Sequence, residues 1–221
     1  MLKKERQAYI IQQINIHNKV LSSDLSVQLN VSEDTVRRDL QELDEEGKLT
    51  KVHGGALSKS FHFTIQNNNI YQHTEKKIIA QKAISLIQDG MMVLLSGGTT
   101  IRELVKNLPE NLNATFITVS IPTALELLNH PNSEVIFLGN KLIKSAQMSV
   151  GAEVVQKLSE IKADLCFLGT NSIDIENGIT DLEWEIIEVK KAMIKAAHKT
   201  VSLAISEKLN SVQRLKVCNV E

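Results

Sequence analysis

The hydrophobic positions near the start of the chain repeat with the spacing of two short helices. Leu25 and Leu29 lie four residues apart, and Val36, Leu40 and Leu43 follow at intervals of four and three residues. Such intervals place side chains on one face of a helix. The pattern therefore predicts two consecutive amphipathic helices.

The break between these helices has the residues of a tight turn. Asn30 tolerates a left-handed backbone, and Val31 can pack between the two helices. Ser32 is placed to accept an amide hydrogen bond as the N-cap of the second helix. This spacing is typical of a helix-turn-helix, whose second helix enters the major groove of DNA.

Burial of the apolar face of the second helix would turn Thr35, Arg37 and Arg38 toward solvent near its N-terminal end. An arginine there can bind guanine or phosphate with two hydrogen bonds. The alternative is an ordinary amphipathic helix whose arginines pair with acidic neighbours. Those neighbours are Asp34, Asp39 and Glu42.

A short strand and a hairpin follow the second helix. Residues 49–52 alternate in polarity like a strand, and Gly54 and Gly55 permit a tight hairpin. Lys51 and His53 would make this hairpin a basic wing, and we expect them to contact phosphates or the minor groove. The predicted wing favours a DNA-binding recognition helix over an ordinary amphipathic helix.

This segment resembles the DeoR-type bacterial transcription regulators. The matching residues are Glu5-Arg6, Val31-Ser32, Thr35 to Leu40, Gly47 and His53 to Ala56. The resemblance implies that residues 1–57 form a winged helix-turn-helix that binds double-stranded operator DNA. The implied DNA-binding residues are Ser32, Thr35, Arg37, Arg38, Lys51, His53, Gly54 and Gly55.

The remainder of the chain divides into a polar linker and an α/β domain. Residues 58–73 are predicted as the linker because they include the run Gln66 to Asn69, and residues 74–221 as the second domain. In that domain, apolar runs of strand length alternate with helical patterns, which predicts a Rossmann-like, mainly parallel sheet. The predicted strands are 91–95, 115–119, 135–138, 165–168 and 201–205. The predicted helices begin at 74, 101, 123 and 182, and the last of them extends to 199.

A glycine-threonine turn follows the first strand of this domain. Gly97, Gly98, Thr99 and Thr100 offer free amides, two hydroxyls and a helix N-terminus, which suit an anion such as phosphate. The turn lacks the motifs that bind NAD or ATP, so no cofactor is predicted. A tight turn without a ligand, capped by Thr99 or Thr100, is the alternative.

Residues 75–208 resemble the sugar-binding domain of the same family, whose fold is similar to that of ribose-phosphate isomerases and glucosamine-phosphate deaminases. The matching segments are 98–100, 167–171, 173–174, 178–180, 189–190 and 192–194. The resemblance implies that a phosphorylated sugar or related metabolite binds this domain and releases the DNA. The implied effector-binding residues are Gly97, Gly98, Thr99, Thr100, Asn171, Asp174 and Lys190.

Four positions depart from the family pattern. Ser96 and Ile205 stand where the family has aspartate, Val119 where it has asparagine, and Asn140 where it has glycine. These changes remove groups that would bind sugar hydroxyls. Either the ligand carries fewer hydroxyls, or no small molecule binds. Family members usually continue beyond the position of Glu221, so either the second domain is shortened or the sequence is truncated.

Charge and composition restrict the function further. The formal net charge of −1 gives no general attraction to DNA, so local cations and a homo-oligomer are expected to supply the affinity. The histidines and cysteines lack ligand spacing, so no metal is predicted, and Cys166 and Cys218 are predicted to be small buried residues. No signal peptide or membrane span is recognisable, which indicates a cytoplasmic protein.

The sequence thus predicts a transcriptional regulator, most simply a repressor, rather than an enzyme. One alternative is a sugar-phosphate isomerase or deaminase with a DNA-binding appendage. It is disfavoured because Ser96 and Ile205 occupy the strand ends that could hold a catalytic carboxylate. The other alternative is a ligand-independent DNA-binding protein whose second domain serves only assembly.

Overall fold

The computed structural model describes residues 1–17, 19–58 and 72–220. The chain divides into two compact units, Met1–Tyr71 and Gln72–Glu221. Most of the predicted linker, including the run Gln66 to Asn69, lies outside the described residues.

The first unit combines helices with a small antiparallel sheet. Its described elements are α1 (Lys3–His17), β1 (Lys19–Leu21), α2 (Ser22–Leu29), α3 (Glu33–Glu45), β2 (Leu49–Val52) and β3 (Gly55–Ser58). The strand order is β1-β3-β2. The predicted helix-turn-helix is confirmed as α2 and α3, and the predicted wing as the hairpin of β2 and β3.

The turn between α2 and α3 has the predicted geometry. Asn30 adopts the left-handed conformation with φ 52° and ψ 50°. The Ser32 hydroxyl accepts a hydrogen bond from the Thr35 amide at 3.3 Å, so it caps α3. Val36 and Leu40 are fully buried in the core of this unit. Local capping and burial of one face together fix the position of α3.

Asp39 on α3 is buried and pairs with α1 rather than with a neighbouring arginine. Its carboxylate accepts hydrogen bonds from both Nε and Nη2 of Arg6, the latter at 3.1 Å, and Asp39 is 2% exposed. Glu42 also faces α1, where it pairs with Lys3. The suggestion that Asp39 and Glu42 neutralise the arginines of α3 is therefore wrong, because tertiary pairing with α1 takes both carboxylates.

The wing is held by a close backbone approach. Gly54 has φ +76°, in the left-handed region that favours glycine. A Cβ atom on Gly55 would lie 2.0 Å from the carbonyl oxygen of Val20. Glycine at position 55 thus allows β1 to pair with β3, an interaction that the sequence analysis did not predict.

The second unit is built around a parallel sheet. Its described helices are α4 (His73–Ile84), α5 (Thr99–Lys106), α6 (Ile121–Leu127), α7 (Ala152–Ser159) and α8 (Trp184–Ala196), with a 3-10 turn at Ser206–Lys208. Its described strands are β4 (Met92–Leu95), β5 (Thr115–Thr118), β6 (Glu134–Phe137), β7 (Lys141–Ile143), β8 (Met148–Val150), β9 (Ala163–Gly169), β10 (Ser172–Asp174), β11 (Gly178–Asp181), β12 (Ala197–Leu203) and β13 (Leu215–Cys218).

The main sheet has the order β12-β9-β4-β5-β6, and all its neighbouring strands are parallel. Residues of α4, α5 and α6 form one apolar core with one face of the sheet, and residues of α7 and α8 form another with the opposite face. A smaller sheet has the order β10-β11-β13, and β7 pairs with β8. The predicted mainly parallel, Rossmann-like architecture is confirmed. The helices of the described residues are too short or too polar to cross a membrane.

Several element boundaries differ from the predictions. The helix predicted to reach residue 199 ends at Ala196, because Ala197 already pairs with Ala163 in the sheet. Ser58 and His73, assigned to the linker, belong to β3 and α4. Helices α1 and α7 and strands β1, β7, β8, β10 and β11 were not predicted.

The two cysteines differ in their burial. Cys166 is fully buried in β9, and burial raises the pKa of its thiol to about 12. Cys218 is only half-buried, so its prediction as a buried residue was wrong. Among the described residues, no group of three or more potential metal ligands comes together.

A buried ion pair joins three elements at one end of the main sheet. The Lys190 ammonium of α8 lies 2.7 Å from Asp181 Oδ2 of β11 and donates to the Gly169 carbonyl of β9 at 3.0 Å. Burial alone would raise the pKa of Asp181. However, the Lys190 charge and hydrogen bonds from the Leu182 amide and Asn171 hold that pKa below its ordinary value. The ion pair therefore fixes α8 against the ends of β9 and β11.

Replacing Asp181 by Asn should lower the free energy of unfolding of the second unit by about 3 kcal/mol at neutral pH, because Lys190 would stay buried without a counter-charge. The pKa of Asp181 is lower in the folded state than in the unfolded state. Its stabilising effect is therefore complete above the unfolded pKa of about 4 and is lost as the pH falls through the folded value. Urea unfolding at several pH values should show the difference between wild type and D181N shrinking below about pH 4.

The double variant Asp181→Asn with Lys190→Met is the control, since it removes both charges. It should recover most of the stability lost in D181N. Additive losses in the double variant, or a D181N protein as stable as wild type at neutral pH, would contradict the role of this pair.

Candidate functional site

The first unit presents a polar surface on α3 and the wing. Arg38 is exposed on the side of α3 that faces away from the core, and Gln41 lies one turn further on the same side. Lys51 of β2 donates to Gln41 Oε1 at 2.7 Å, which brings the wing next to the helix. We call Thr35, Arg38, Gln41 and Lys51 the recognition surface. No ion pair of Arg38 occurs within the described part of the chain.

Arg37 differs from Arg38 in its surroundings. Its guanidinium donates to Asp34 at 3.0 Å and to Glu33 at 3.2 Å, and 59% of the Arg37 side chain is exposed. Exposed pairs of this kind contribute little to stability, so a phosphate or base could displace them. The alternative of an ordinary amphipathic helix expected both arginines to pair with acidic neighbours. Only Arg37 does so among the described residues, with Asp34 and Glu33.

The other predicted DNA-binding residues lie in the same two elements. Ser32 caps α3, His53 and Gly54 are exposed at the tip of the wing, and Gly55 is buried against the backbone of β1. The structure thus gives Ser32 and Gly55 structural roles. Gln41 was not among the predicted residues, although its position three residues after Arg38 places it on the same helix face.

The glycine-threonine turn of the second unit leaves the N-terminus of α5 without a side-chain cap. Gly98 is the N-cap of α5, with φ 122° and ψ 158°, and no side chain caps the first turn. Thr99 is half-buried, and Thr100 is buried. The suggestion that Thr99 or Thr100 acts as the cap is therefore wrong, because both lie inside the helix. Uncapped amides at a helix N-terminus favour an anion.

Hydroxyl groups hold this turn against the neighbouring strand ends. The buried Ser96 hydroxyl accepts the Gly169 amide hydrogen bond at 2.7 Å, and Thr123 Oγ1 donates to the Ser96 carbonyl at 3.2 Å. A Cβ atom on Gly169 would lie 2.2 Å from the Gly97 carbonyl oxygen. The carboxyl ends of β4 and β9 therefore approach each other closely, which sets the position of Gly98.

Two lysines stand at the carboxyl end of β9. Lys190 contacts Gly169 and Asp181, and Asn171 Nδ2 donates to Asp181 Oδ1 at 2.8 Å. The Lys208 ammonium donates to the Thr170 carbonyl. We call residues 97–100, residues 169–171, Lys190 and Lys208 the strand-end site. Asp181 and Lys208 were not among the predicted effector-binding residues.

The lysines of this region carry altered pKa values. Burial, with the nearby charges of Lys76 and Lys190, lowers the pKa of Lys208 to about 7. Burial also lowers the pKa of Lys76 to about 8, against the opposing influence of Glu103 and Glu207. Near neutral pH, Lys208 is therefore divided between its charged and neutral forms, and an approaching anion would favour the charged form.

Asp174 has a local role in the structure. Its Oδ1 atom accepts hydrogen bonds from the Glu176 amide at 3.0 Å and from the Asn177 amide and side chain, each at 2.8 Å. These bonds organise the turn between β10 and β11. No described hydrogen bond joins Asp174 to the strand-end site. Asn171 and Lys190, by contrast, belong to that site and both bond to Asp181.

Each of the four residues that depart from the family pattern makes local hydrogen bonds or packs in an apolar core. Ser96 ties β4 to β9, and Val119 and Ile205 are buried apolar residues. The side chain of Asn140 bonds to Glu153 and to the Lys141 amide. None of the four places a carboxylate at the strand ends.

Some solved structures of low sequence identity are similar to part of this chain. One is ribose 5-phosphate isomerase A from Methanocaldococcus jannaschii, with a TM-score of 0.46 and 18% identity over 63% of this chain and 55% of that chain. Another is ribose 5 phosphate isomerase A from Neisseria gonorrhoeae, with a TM-score of 0.48 and 16% identity over 64% of this chain and 55% of that chain.

Curated relatives align along almost the entire chain. HTH-type transcriptional repressor GlcR of Bacillus subtilis is 35% identical over 96% of this chain and 82% of its own length. HTH-type transcriptional regulator GolR of Listeria innocua is 33% identical over 100% of this chain and 88% of its own length. A putative aga operon transcriptional repressor of Escherichia coli O157:H7 is 27% identical over 98% of this chain and 82% of its own length.

Family models match both units. Residues 6–61 match the DeoR-like helix-turn-helix domain, and residues 71–221 match the DeoR C terminal sensor domain. Together with relatives above 30% identity along nearly the full chain, these matches show that the chain belongs to the DeoR family of helix-turn-helix transcriptional regulators.

Proposed function

We propose that this protein represses transcription by binding operator DNA as an oligomer, and that a phosphorylated metabolite in the strand-end site releases it. The observation that carries the proposal is that one chain presents two surfaces whose groups suit anionic partners. One is an exposed arginine beside a basic wing, and the other is an uncapped helix N-terminus near two lysines.

The DNA-binding part rests on the recognition surface. Arg38 has no competing carboxylate among the described residues, so its guanidinium is available to a guanine edge or a phosphate. Lys51 stands on the wing, where contact with phosphate rather than with bases is the common pattern. We therefore assign base recognition to Arg38 and general affinity to Lys51.

Replacing Arg38 by Ala should reduce discrimination between a selected operator and random DNA by about 1 to 3 kcal/mol. Lys51→Ala should weaken binding to both DNAs by a similar factor, because phosphate contacts carry no sequence information. Sequence selection from random DNA, followed by binding titrations at fixed salt, measures both effects. Lys77→Ala, which removes an exposed charge from the second unit, is the matched control.

An R38A protein with unchanged specificity would remove Arg38 from base recognition. Failure of the wild-type chain to enrich any sequence would contradict operator binding itself. If Lys51→Ala changed the preferred sequence, the wing would have to contact bases.

The ligand-binding part rests on the chemistry of the strand-end site. The free amides at the start of α5 and the charge of Lys208 suit a phosphate group. Ser96, Val119 and Ile205 supply no carboxylate or amide for sugar hydroxyls, so the rest of the ligand is expected to carry few of them. Several relatives are named for sugar systems, such as a lactose phosphotransferase system repressor of Staphylococcus epidermidis.

We propose no catalytic role for this site. Asp181, which contacts Lys190 and Asn171 of the strand-end site, accepts hydrogen bonds from both of these side chains and from the Leu182 amide. A general base must be able to take a proton from a substrate, and a carboxylate locked in this way is not available for that step.

A phosphorylated sugar that binds the wild-type chain should raise the free energy of unfolding by roughly 2.7 kcal/mol when present at about a hundred times its dissociation constant. Thr99→Val should abolish most of this stabilisation, because it removes one hydroxyl from the phosphate position while preserving side-chain shape. Thermal unfolding with a panel of sugar phosphates measures the effect.

Thr74→Val is the matched control, since Thr74 lies in the first turn of α4 and is exposed. Its response to the ligand should equal that of wild type. No stabilisation of the wild-type chain by any member of the panel would favour the ligand-independent alternative. Equal stabilisation of the Thr99→Val and wild-type proteins would place the phosphate elsewhere.

A further inference from the structure

Strand β6 forms one edge of the main sheet. Among the described residues it pairs only with β5, in a regular register without a bulge. The Glu134 amide donates to Ala114 and the Leu138 amide donates to Thr118. Because backbone groups alternate along a strand, Val135 and Phe137 point their amide and carbonyl groups toward the open side.

Apolar side chains are exposed along this edge. Ile136 is 36% exposed and Phe137 is 40% exposed, on opposite faces of the sheet. On the face shared with Phe137, helix α6 adds Leu125, which is 45% exposed, and its C-terminal cap Leu128, which is 69% exposed. A strand edge with unpaired backbone groups and exposed apolar residues on both faces is prone to pair with another strand.

The opposite edge of the same sheet is protected. Strand β12 exposes His198 and Lys199. Charged residues, lysine above all, are a common means of preventing edge-to-edge pairing. Strand β6 has no lysine or proline, and its one charged residue, Glu134, lies at its start. Within residues 1–17, 19–58 and 72–220, the sheet is therefore protected at one edge and open at the other.

We propose that β6 pairs antiparallel with β6 of a second copy of this chain, about a two-fold axis at Ile136. In this register Val135 of one copy lies opposite Phe137 of the other, and each pair exchanges both of its outward hydrogen bonds. The two Ile136 side chains meet across the axis. The two main sheets then join into one continuous sheet.

The backbone and charge pattern favours a second copy as the partner. The outward groups of Val135 and Phe137 flank Ile136 symmetrically, so the strand is complementary to itself when rotated about that residue. Glu134 lies opposite Leu138 of the other copy, and the two Glu134 carboxylates are separated by about 13 Å along the strands. The pairing therefore creates no close contact between like charges. It gives the oligomer of the proposed function a specific interface, and the dimer would present two recognition surfaces to DNA.

Cysteine substitution tests the register in the full-length chain. Ile136→Cys places two thiols directly opposite each other in a non-hydrogen-bonded pair, where the Cβ atoms are about 4.5 to 5.5 Å apart. Under mild oxidation this variant should become a covalent dimer. Phe137→Cys is the matched control and should remain largely uncrosslinked, since it faces Val135 of the other copy. Both are made with Cys218→Ser, because Cys218 is half-buried, whereas Cys166 is fully buried.

Equal crosslinking of the two cysteine variants, or none in Ile136→Cys, would overturn the proposed register. The assay needs no DNA and no ligand, so its failure would leave the proposed DNA and ligand binding untouched.

A charge substitution tests the assembly without oxidation. Ile136→Lys would bring two ammonium groups together at the axis and should halve the mass of the particle measured by light scattering. Ile175→Lys, at a residue 87% exposed in the turn after β10, should leave the mass unchanged. Both variants should fold, and loss of the dimer should lower the unfolding temperature of Ile136→Lys below that of Ile175→Lys. A wild-type monomer, or an Ile136→Lys protein with wild-type mass, would contradict the proposal.

Discussion

The second unit depends on the buried ion pair between Lys190 and Asp181. Two charges with little access to water are tolerated only when each is neutralised and hydrogen-bonded. Lys190 meets this condition by contacting both Asp181 and the Gly169 carbonyl. Asp181 meets it by accepting hydrogen bonds from the Asn171 side chain, the Leu182 amide and Lys190. The Gly169 amide also donates to the Ser96 hydroxyl. Gly169 therefore connects the ion pair with the glycine-threonine turn. Any ligand that moves Lys190 must therefore disturb the whole strand-end site.

The first unit shows how an almost neutral chain can present a local cation. Asp39 is buried against Arg6, and Glu42 pairs with Lys3 at the surface beside α1, so neither carboxylate pairs with an arginine of α3. Arg37 is partly neutralised by its neighbours, whereas Arg38 is not. The net charge of −1 thus says little about the recognition surface. Short-range placement of charge, rather than total charge, determines what this unit can bind.

The sequence predicted those features that depend on local spacing. The apolar intervals from Val36 to Leu43 and the cap at Ser32 were sufficient to predict α3, and alternating strands and helices predicted the parallel sheet. Features set by distant partners were not predictable in this way. Asp39 is buried by a residue 33 positions away, and α8 stops at Ala196 because the next residue joins β9. No sequence motif surrounds Lys208, so the sequence did not predict it as a site residue. Only the fold shows that it lies beside Thr170 at the end of β9.

We propose that ligand occupancy in the second unit and DNA affinity in the first are coupled. The direct test measures the affinity of the full chain for its selected operator at fixed salt, with and without each sugar phosphate that stabilises the protein. We expect at least one such ligand to weaken operator binding by roughly 5- to 150-fold, and the operator to weaken binding of that ligand by the same factor. An operator affinity that stays constant while the ligand is demonstrably bound would show that the two sites are not coupled.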